Sequence, residues 1–519
     1  MAIVKKLETP EGARRRLQLL SPADRKVIGE IECMNEEDVQ EALARARAAQ
    51  PAWAALSFKE RGAYMLRALD HLLENKDEFI DVALSETPKT RNEALMMDIF
   101  AGCDSLHFYA RQAGKLLRPE RKSLHGMVAI GKKCTVYYKP LGVVGVISPW
   151  NGPFILSLNP TVQALMAGNA ALLKPSSATP FSGELVGRLF EAAGLPEGVL
   201  TVLQGDSRTG QALLECGVDK ISFTGSEEVG RHVARCCAER FIPCTLELGG
   251  KNAMIVCGDA DLDRAAAGGV AGNFFNAGQY CGGIERIYVV ESVADVFIEK
   301  VVAIASKLRQ AREGEFDVGA LYTEAQFEIV KEHVEDARGK GARVLCGGRP
   351  NPELKDGLYY EPTVLTDVTA EMKCLTEETF GPLMNIVRVP DEEEAIRLAN
   401  DSNYGLTASV WTRDVKRGIA IAKRIDTGNV DVNDFPQTYG SAEVPFGGRK
   451  ASGVGQVNGA TGLRGYCHAL PVQVDRFGGK QTAGVFPRDA SQDEGFQKFM
   501  RFLWGNPIGR MISLLRLPF

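Results

Sequence analysis

One thiol in this chain stands in surroundings suited to covalent chemistry. Cys281 lies in Phe275-Asn276-Ala277-Gly278-Gln279-Tyr280-Cys281-Gly282-Gly283, where small flexible residues permit a tight backbone and the close approach of a ligand. A thiolate there would attack an electrophilic carbon. Eleven other cysteines are present, and free cysteine is among the most buried residue types, so an inert core thiol is the competing reading. A second segment, Thr245-Leu246-Glu247-Leu248-Gly249-Gly250-Lys251-Asn252, places a carboxylate between two leucines and ahead of paired glycines. Removed from water, such a group has a raised pKa and serves as a base near neutrality; the plainer alternatives are a helix cap or a salt bridge to Lys251. A third segment, Ile147-Ser148-Pro149-Trp150-Asn151-Gly152-Pro153-Phe154, ends an apolar strand in a rigid turn. From that turn Asn151 would donate its side-chain N–H to a developing oxyanion, although Asn is also an ordinary turn residue.

Phosphate-binding signals accompany these groups. Phe223-Thr224-Gly225-Ser226-Glu227-Glu228-Val229-Gly230 follows a strand and opens a helix, so its backbone N–H groups and Ser226 would meet a pyrophosphate, although GxGxxG spacing is absent. Ala171-Leu172-Leu173-Lys174-Pro175-Ser176 ends another strand in a lysine placed to hold ribose or phosphate, or merely solvated.

The elements that must position these residues follow from periodicity. The first hundred or so residues read as helices: Asn35 with Asp38 forms a capping pattern, Val39, Leu43 and Ala46 recur until Pro51 interrupts, and Ser57 with Glu60 repeats the cap. Near residue 125, Met127–Ile130 and Thr135–Tyr138 read as the two strands of a hairpin. Strand–helix alternation follows, with strands at 143–147, 170–173, 199–203 and 221–223. A second series comprises strands at 254–256, 287–290, 344–345 and 409–412, with a long helix over 293–312. Such alternation predicts parallel sheets covered on both faces, hence an α/β protein.

Composition narrows the function classes. At about 150 residues per domain, 519 residues make about three structural units. Sixty-one Lys and Arg against 66 Asp and Glu leave a net charge of −5, which provides no broad footprint for nucleic acid. The twelve cysteines have no repeating framework, and the opening MAIVKKLETPEGARRR has no apolar signal region, so a reduced, cytoplasmic chain is expected. Neither CxxC nor HExxH occurs and the six histidines are scattered, so no metal site is expected. No run reaches the roughly 18 apolar residues of a spanning helix.

Taken together, the segments resemble the aldehyde dehydrogenase superfamily over essentially residues 10 to 470. PWN at 149–151, KPS at 174–176, FTGS at 223–226, LELGGKN at 246–252, GQYC at 278–281, EETFGP at 377–382 and PFGG at 445–448 stand in that family's order. The resemblance implies a Rossmann-like cofactor domain (1–118 and 141–249), a second α/β catalytic domain (250–449), a small β oligomerisation arm (119–140 and 450–475) and a tail (476–519). It implies oxidation of an aldehyde to the acid with NAD or NADP by the non-acylating route. Cys281 would form a thiohemiacetal and then a thioester, Asn151 would hold the oxyanion and Glu247 would activate water. Lys174 and Glu378 would bind the cofactor riboses and Ser226 the pyrophosphate, with Trp150, Gly225 and Phe380 around the phosphates and nicotinamide. Asn433 would lie near the floor of the site, and a homodimer or homotetramer is implied.

Three departures from the family pattern carry expectations. Ser177 stands where NAD-preferring members carry Glu, which removes the charge that repels a 2′-phosphate, so NADP should be accepted. Gly152 replaces an aromatic residue, so the substrate tunnel should be wider and suit a bulky or medium- to long-chain apolar aldehyde. Glu86-Thr87-Pro88-Lys89-Thr90 replaces ETGKP, read as a surface-loop change without functional meaning. In the tail, Phe496, Phe499 and Leu503, then Ile508, Met511, Ile512 and Leu515, recur at helical spacing with Lys498, Arg501, Arg510 and Arg516. That pattern fits peripheral contact with an anionic membrane, a cover over the substrate entrance, or a helix docked on a neighbouring subunit. Two other readings compete for the whole chain: a CoA-acylating relative, which usually lacks the carboxylate at Glu247, and a non-catalytic structural or membrane-surface protein, which would not need all three site groups.

Overall fold

A computed structural model of the protein describes residues 3–8, 13–126, 128–476, 490–507 and 510. The chain forms two compact units, Met1–Leu116 with Pro140–Cys467, and Leu117–Lys139 with His468–Phe519.

The first unit is built on two sheets. Apolar strands such as Val143–Ile147 and Ala170–Lys174 are buried almost throughout, as strands covered on both faces must be. They enter a six-stranded sheet in the order Gly453–Val454, Cys244–Glu247, Lys220–Thr224, Val143–Ile147, Ala170–Lys174, Leu200–Val202, parallel except at the first strand. Strand order reverses between Val143–Ile147 and Lys220–Thr224, which opens a crevice beyond the carboxyl ends of those two strands. Leu43, Leu172, Ile221, Val233 and Leu246 join helices to this sheet in one core.

The second sheet has seven strands in the order Arg343–Cys346, Thr363–Thr366, Leu383–Val389, Ile284–Val290, Asn252–Val256, Thr407–Trp411, Asn429–Val432. Its side chains alternate between two cores: Met254 and Val256 pack with Ile287 and Phe297, while Ala253 and Ile255 pack with Tyr288 and Val410. Each such large apolar side chain contributes roughly 1.5–3 kcal/mol when fully buried, so the sheet is a rigid platform for the loops at its ends.

Several local expectations change. The N-terminal region is not all helical. Val4–Leu7, Arg16–Leu20 and Val27–Glu32 pair antiparallel, burying Leu17, Leu19 and Ile31 while Arg16 pairs with Glu30 on the exposed side. Pro51 does not end its helix, which runs Glu36–Ala55 from an Asn35–Asp38 capping box. The turn beyond Pro51 is anchored by Trp53, whose buried indole donates to the Leu165 carbonyl at 2.9 Å. The helix expected to Arg312 spans Glu291–Ala305; beyond it Asp317 accepts the Arg309 backbone N–H and side chain and turns the chain. Segment 450–466 falls in the first unit, where Gly453–Val454 pairs with Leu246–Glu247.

The second unit carries a three-stranded sheet in the order Cys467–Asp475, Lys132–Pro140, Glu120–Lys122. The partner of Thr135–Val136 is Glu120–Arg121, not the expected 127–130 run; Met127 lies outside the described residues, and Val128–Gly131 forms one helical turn after Gly126 at φ +67. Too short to pair across that turn, the run takes the local hydrogen bonds available to it. A helix, Ala490–Trp504, completes the described part of this unit; Met511, Ile512 and Leu515 lie outside the described residues, as does Ile508.

Candidate active site

The crevice at the strand reversal supplies the frame. Pro149-Trp150-Asn151 leaves the strand Val143–Ile147, Gly225-Ser226 leaves Lys220–Thr224, and Glu247 ends Cys244–Glu247. All six of these residues line one cavity of about 760 Å³ together with Cys281, Glu378 and Phe380. A second cavity of about 750 Å³ shares Asn151 and Cys281 with the first and is otherwise walled by Met96, Met97, Ile155, Leu156, Phe275 and Tyr439, among others, with no Lys, Arg, Asp or Glu on its lining among the described residues. Cys281 and Asn151 thus stand where a polar crevice meets an apolar tunnel.

The loop bearing Cys281 is held in an unusual path. Asn276 and Ala277 both adopt left-handed backbone conformations (φ +53), a cost of order 1–3 kcal/mol each that neighbouring bonds must offset. Glu93 accepts the Asn276 backbone N–H at 2.6 Å, and the Asn276 side chain donates to the Asn151 and Gln279 carbonyls at 3.0 Å each. On the far side, Asn252 Nδ2 donates to the Cys281 and Gly283 carbonyls at 2.7 and 2.8 Å. Asn151 Nδ2 donates to the Gln279 carbonyl at 3.1 Å, and its second hydrogen is left for a ligand oxygen.

Electrostatics differ sharply between the acidic groups. Glu247 is buried and neither of its carboxylate oxygens has a hydrogen-bond partner among the described residues, and burial raises its pKa well above the ordinary glutamate value. The alternative pairing with Lys251 does not occur: Lys251 is committed to Glu285 and to Thr379 Oγ1. Burial also pushes the Cys281 thiol up to about 12, with Glu247 and Glu378 adding to the shift. The thiol therefore holds its proton in the resting site at neutral pH, and Glu247 binds a proton more tightly than an ordinary glutamate.

The residues expected to hold a dinucleotide distribute along the crevice. Ser226 caps the helix Glu227–Glu239, whose amino end faces the cavity lined by Gly225 and Ser226. Glu227, in the first turn, is turned to Arg231 and the Tyr404 hydroxyl. Glu378 Oε1 accepts the Gly250 N–H at 2.8 Å, and its carboxylate occupies the space that a side chain at Gly249 would need. Burial moves its pKa up to about 8. Trp150 packs against Tyr322 and Phe380 at centroid distances of 4.8 and 5.5 Å, and Phe380, at φ +49, is fixed by Glu285 accepting its N–H at 2.8 Å. Lys174, whose pKa falls to about 8 on burial, lines a further cavity of about 990 Å³ with Asp206, His232 and Arg235. Ser177 is half-buried three residues beyond it and is not on that lining. An amino helix end and a hydrogen-bonded carboxylate on the crevice, with a buried lysine at the end of the neighbouring strand Ala170–Lys174, fit a dinucleotide's phosphates and ribose hydroxyls. Asn433 lines neither site cavity; its Oδ1 accepts the Thr412 N–H at 2.9 Å and starts the loop that brings Phe435 and Tyr439 to the tunnel.

Two readings from the sequence are corrected here. Lys89 is not on a surface loop: its side chain is fully buried, pairs with Asp98 at 2.7 Å and donates to the Asn151 carbonyl at 3.3 Å, while Asp98 also accepts the Ile155 N–H at 3.2 Å. Burial opposes the Lys89 charge, yet Asp98 holds its pKa above the usual lysine value. The alternation of Lys89, Glu93 and Asp98 gave no periodic signal because a π-helical turn, Ala94–Phe100, resets their spacing. Nor does Gly152 leave open space, since a side chain there would lie 2.8 Å from the Met97 terminal methyl, which already fills the gap.

With this geometry in place, the fold defines an α/β protein whose dinucleotide-type crevice ends on a half-buried thiol. Residues 9–471 match the aldehyde dehydrogenase family. A Mycolicibacterium smegmatis relative, provisionally named an NADP(+) succinate-semialdehyde dehydrogenase, is 44% identical over 85% of this chain and 85% of its own length. A Methylomonas protein named 4,4′-diapolycopene aldehyde oxidase is 37% identical over 94% of this chain and 91% of its own. The crystal structure of a Mycobacterium tuberculosis aldehyde dehydrogenase complexed with NAD+ superimposes with a TM-score of 0.84 at 35% identity, covering 90% of this chain and 96% of that one. The chain belongs to the aldehyde dehydrogenase family, NAD(P)-dependent oxidoreductases that act on aldehydes.

Two measurements check the electrostatic assignments. Because folding raises the Glu247 pKa, the folded chain keeps a proton above pH 4.5 that the unfolded chain has lost, so stability falls as pH rises from there, by at most about 1.4 kcal/mol per pH unit. Thermal unfolding should find Glu247→Gln equal to wild type at pH 4 and more stable at pH 8; a gap that does not widen with pH refutes the unpaired carboxylate. Removing both partners of a buried ion pair is far milder than removing one, so Lys89→Met/Asp98→Leu should fold. With the Lys89 hold on the Asn151 carbonyl removed and the Asn276 one left, kcat should drop about tenfold while KM for the dinucleotide stays unchanged, and equal kcat would show the pair to be merely structural.

Proposed function

We propose that the protein oxidises a neutral apolar aldehyde of medium or long chain to its carboxylic acid, with Cys281 as nucleophile, Asn151 as oxyanion donor and Glu247 as the base for hydrolysis. The observation that carries this reading is the junction itself: Cys281 and Asn151 are common to a crevice holding Glu247 and to a tunnel without a charged wall. An aldehyde carbonyl entering from the tunnel is met by the Cys281 sulfur, whose proton must leave as the carbon–sulfur bond forms. The resulting oxyanion finds the free N–H of Asn151 and the Cys281 backbone N–H. Trp150, Lys174, Gly225, Ser226, Glu378 and Phe380 would hold NAD or NADP, and Ser177 would stand toward the adenosine ribose; when bound, the dinucleotide would supply the acceptor for the hydride. A thioester on Cys281 is then cleaved by water, with Glu247 taking the water proton and the carbon–sulfur bond breaking to free the thiol. A carboxylate with no hydrogen-bond partner is suited to this step, because it is a stronger base than a solvated one.

The tunnel lining favours an apolar chain over an ω-carboxylate semialdehyde, despite the name of the 44% identical relative. A carboxylate in a tunnel without Lys or Arg would be desolvated and unpaired. Met96 and Met97 supply flexible, polarizable walls that repack around chains of different width. Substrate width is thus set by Met97 rather than by the glycine alone. We further read the exposed strand edges of the second unit as the means of assembly into a homodimer or homotetramer, and residues 496–519 as a peripheral membrane contact.

Steady-state rates should show kcat/KM for decanal at least about tenfold above that for succinate semialdehyde, since one unpaired buried charge costs several kcal/mol. The reverse order ends the apolar assignment, and loss of both activities in Cys281→Ala controls the chemistry. For the cofactor, kcat/KM with NADP should lie within about a hundredfold of that with NAD, and Ser177→Glu should lower the NADP value about tenfold or more while sparing NAD. An unchanged ratio would remove Ser177 from the ribose site.

A further inference from the structure

Charge is divided unevenly between the two units. Leu117–Lys139 with His468–Phe519 holds thirteen Lys and Arg against five Asp and Glu, a net of +8 in a chain whose total is −5. Five of these cations, Arg121, Lys122, Lys132, Lys133 and Arg476, line one cavity of about 1300 Å³ on the three-stranded sheet. Lys122 and Lys132 face Glu120 and Asp475, but Arg121, Lys133 and Arg476 meet no carboxylate among the described residues. Such a concentration of unpaired like charge destabilises the unit by self-repulsion unless an anionic surface compensates it.

The helix Ala490–Trp504 of the same unit adds an apolar element. Phe496, Met500 and Trp504 recur every fourth residue and are 52%, 44% and 56% exposed, a stripe along one helix face with Arg501 beside it. The Trp504 ring lies next to Gly126, in the segment that leads into the strand Lys132–Pro140, which ties the helix to the cationic sheet. From Gly495 to Phe519 the sequence has four Lys or Arg, no Asp or Glu, and thirteen large apolar residues among 25. That composition suits neither water nor a purely ionic partner.

We propose that this second unit is a docking surface for an anionic lipid bilayer, with the sheet's cations on phosphate headgroups and the Phe496–Met500–Trp504 stripe seated at the acyl boundary. Nucleic acid would compensate the cations and leave the stripe in water; only a lipid interface offers both chemistries side by side. The inference rests on the apolar-aldehyde reading for its purpose alone, since such a substrate partitions into bilayers, and its own physical basis is independent of catalysis.

Flotation of the full-length protein with vesicles of phosphatidylcholine and phosphatidylglycerol (about 7:3), against vesicles of phosphatidylcholine alone, tests it. Most of the protein should float with the anionic vesicles and little with the neutral ones. About 0.5 M salt should reduce flotation several-fold, as should Arg121→Gln/Lys133→Gln/Arg476→Gln or Phe496→Ser/Trp504→Ser. Turnover of propanal, a water-soluble aldehyde, should be unaffected in both variants, which shows that they are folded and separates failure of docking from failure of the catalytic reading. Absence of flotation on anionic vesicles, flotation equal on neutral ones, or a charge variant that floats like wild type overturns the proposal. So does tight binding to an RNA homopolymer with no binding to vesicles, or a mass in solution that halves in the Phe496→Ser/Trp504→Ser variant while vesicles bind neither protein, which would seat the helix on a second copy.

Discussion

A buried carboxylate without a charged partner is the constraint around which the site is organised. Glu247 ends a buried strand with both oxygens unpartnered, and Glu378 and Cys281 face the same space. Burial raises the pKa of all three groups, and Glu247 and Glu378 further oppose ionisation of the Cys281 thiol. This makes the thiol inert until a ligand changes its surroundings and keeps Glu247 basic for the moment when water must be activated. The cost falls on folding stability, and the two large hydrophobic cores of the flanking sheets offset it. A polar neighbour for Glu247 would relieve that cost and lower its basicity in the same stroke.

A carboxylate without a charged partner requires that the charges nearby be spent on one another. Lys89 is spent on Asp98 and Lys251 on Glu285. Neither pair touches the reacting groups, yet each places a carbonyl or N–H that does: Lys89 reaches the Asn151 carbonyl, and Glu285 accepts the N–H groups of Thr379 and Phe380. A buried ion pair gives little net stability but has one satisfying geometry. Here that geometry fixes the oxyanion donor on one side and the aromatic wall of the crevice on the other.

The platform was legible in the sequence and the clamps were not. Strands such as Val143–Ile147, Ala170–Lys174 and Asn252–Val256 announce themselves because both faces are buried and apolar runs follow directly. The Arg16–Leu20 and Val27–Glu32 pair escaped because its alternation is brief and its charged side chains serve cross-strand pairing rather than a helix face. Cys281, Glu247 and Asn151 were singled out because each sits at a break in regular structure, beside glycine or proline. Lys89, Glu93 and Asp98 carry no such mark. Their meaning arises only when a π-helical turn and the left-handed path at Asn276 and Ala277 bring segments some 60 and 180 residues distant into hydrogen-bonding range, as the Lys89–Asn151 and Glu93–Asn276 bonds record.

The same logic governs substrate shape. A glycine at 152 read alone implies room, but interiors are close-packed, and the Met97 methyl occupies the space a side chain there would need. What the glycine provides is therefore exchangeability: an unbranched thioether with three rotatable bonds stands where a rigid ring would otherwise fix the tunnel width. A wall that yields costs less binding energy when an apolar chain is wide or long, and discriminates less between such chains. Selectivity then falls to what the tunnel lacks, a positive charge, which excludes carboxylate-bearing aldehydes by leaving their charge unpaired.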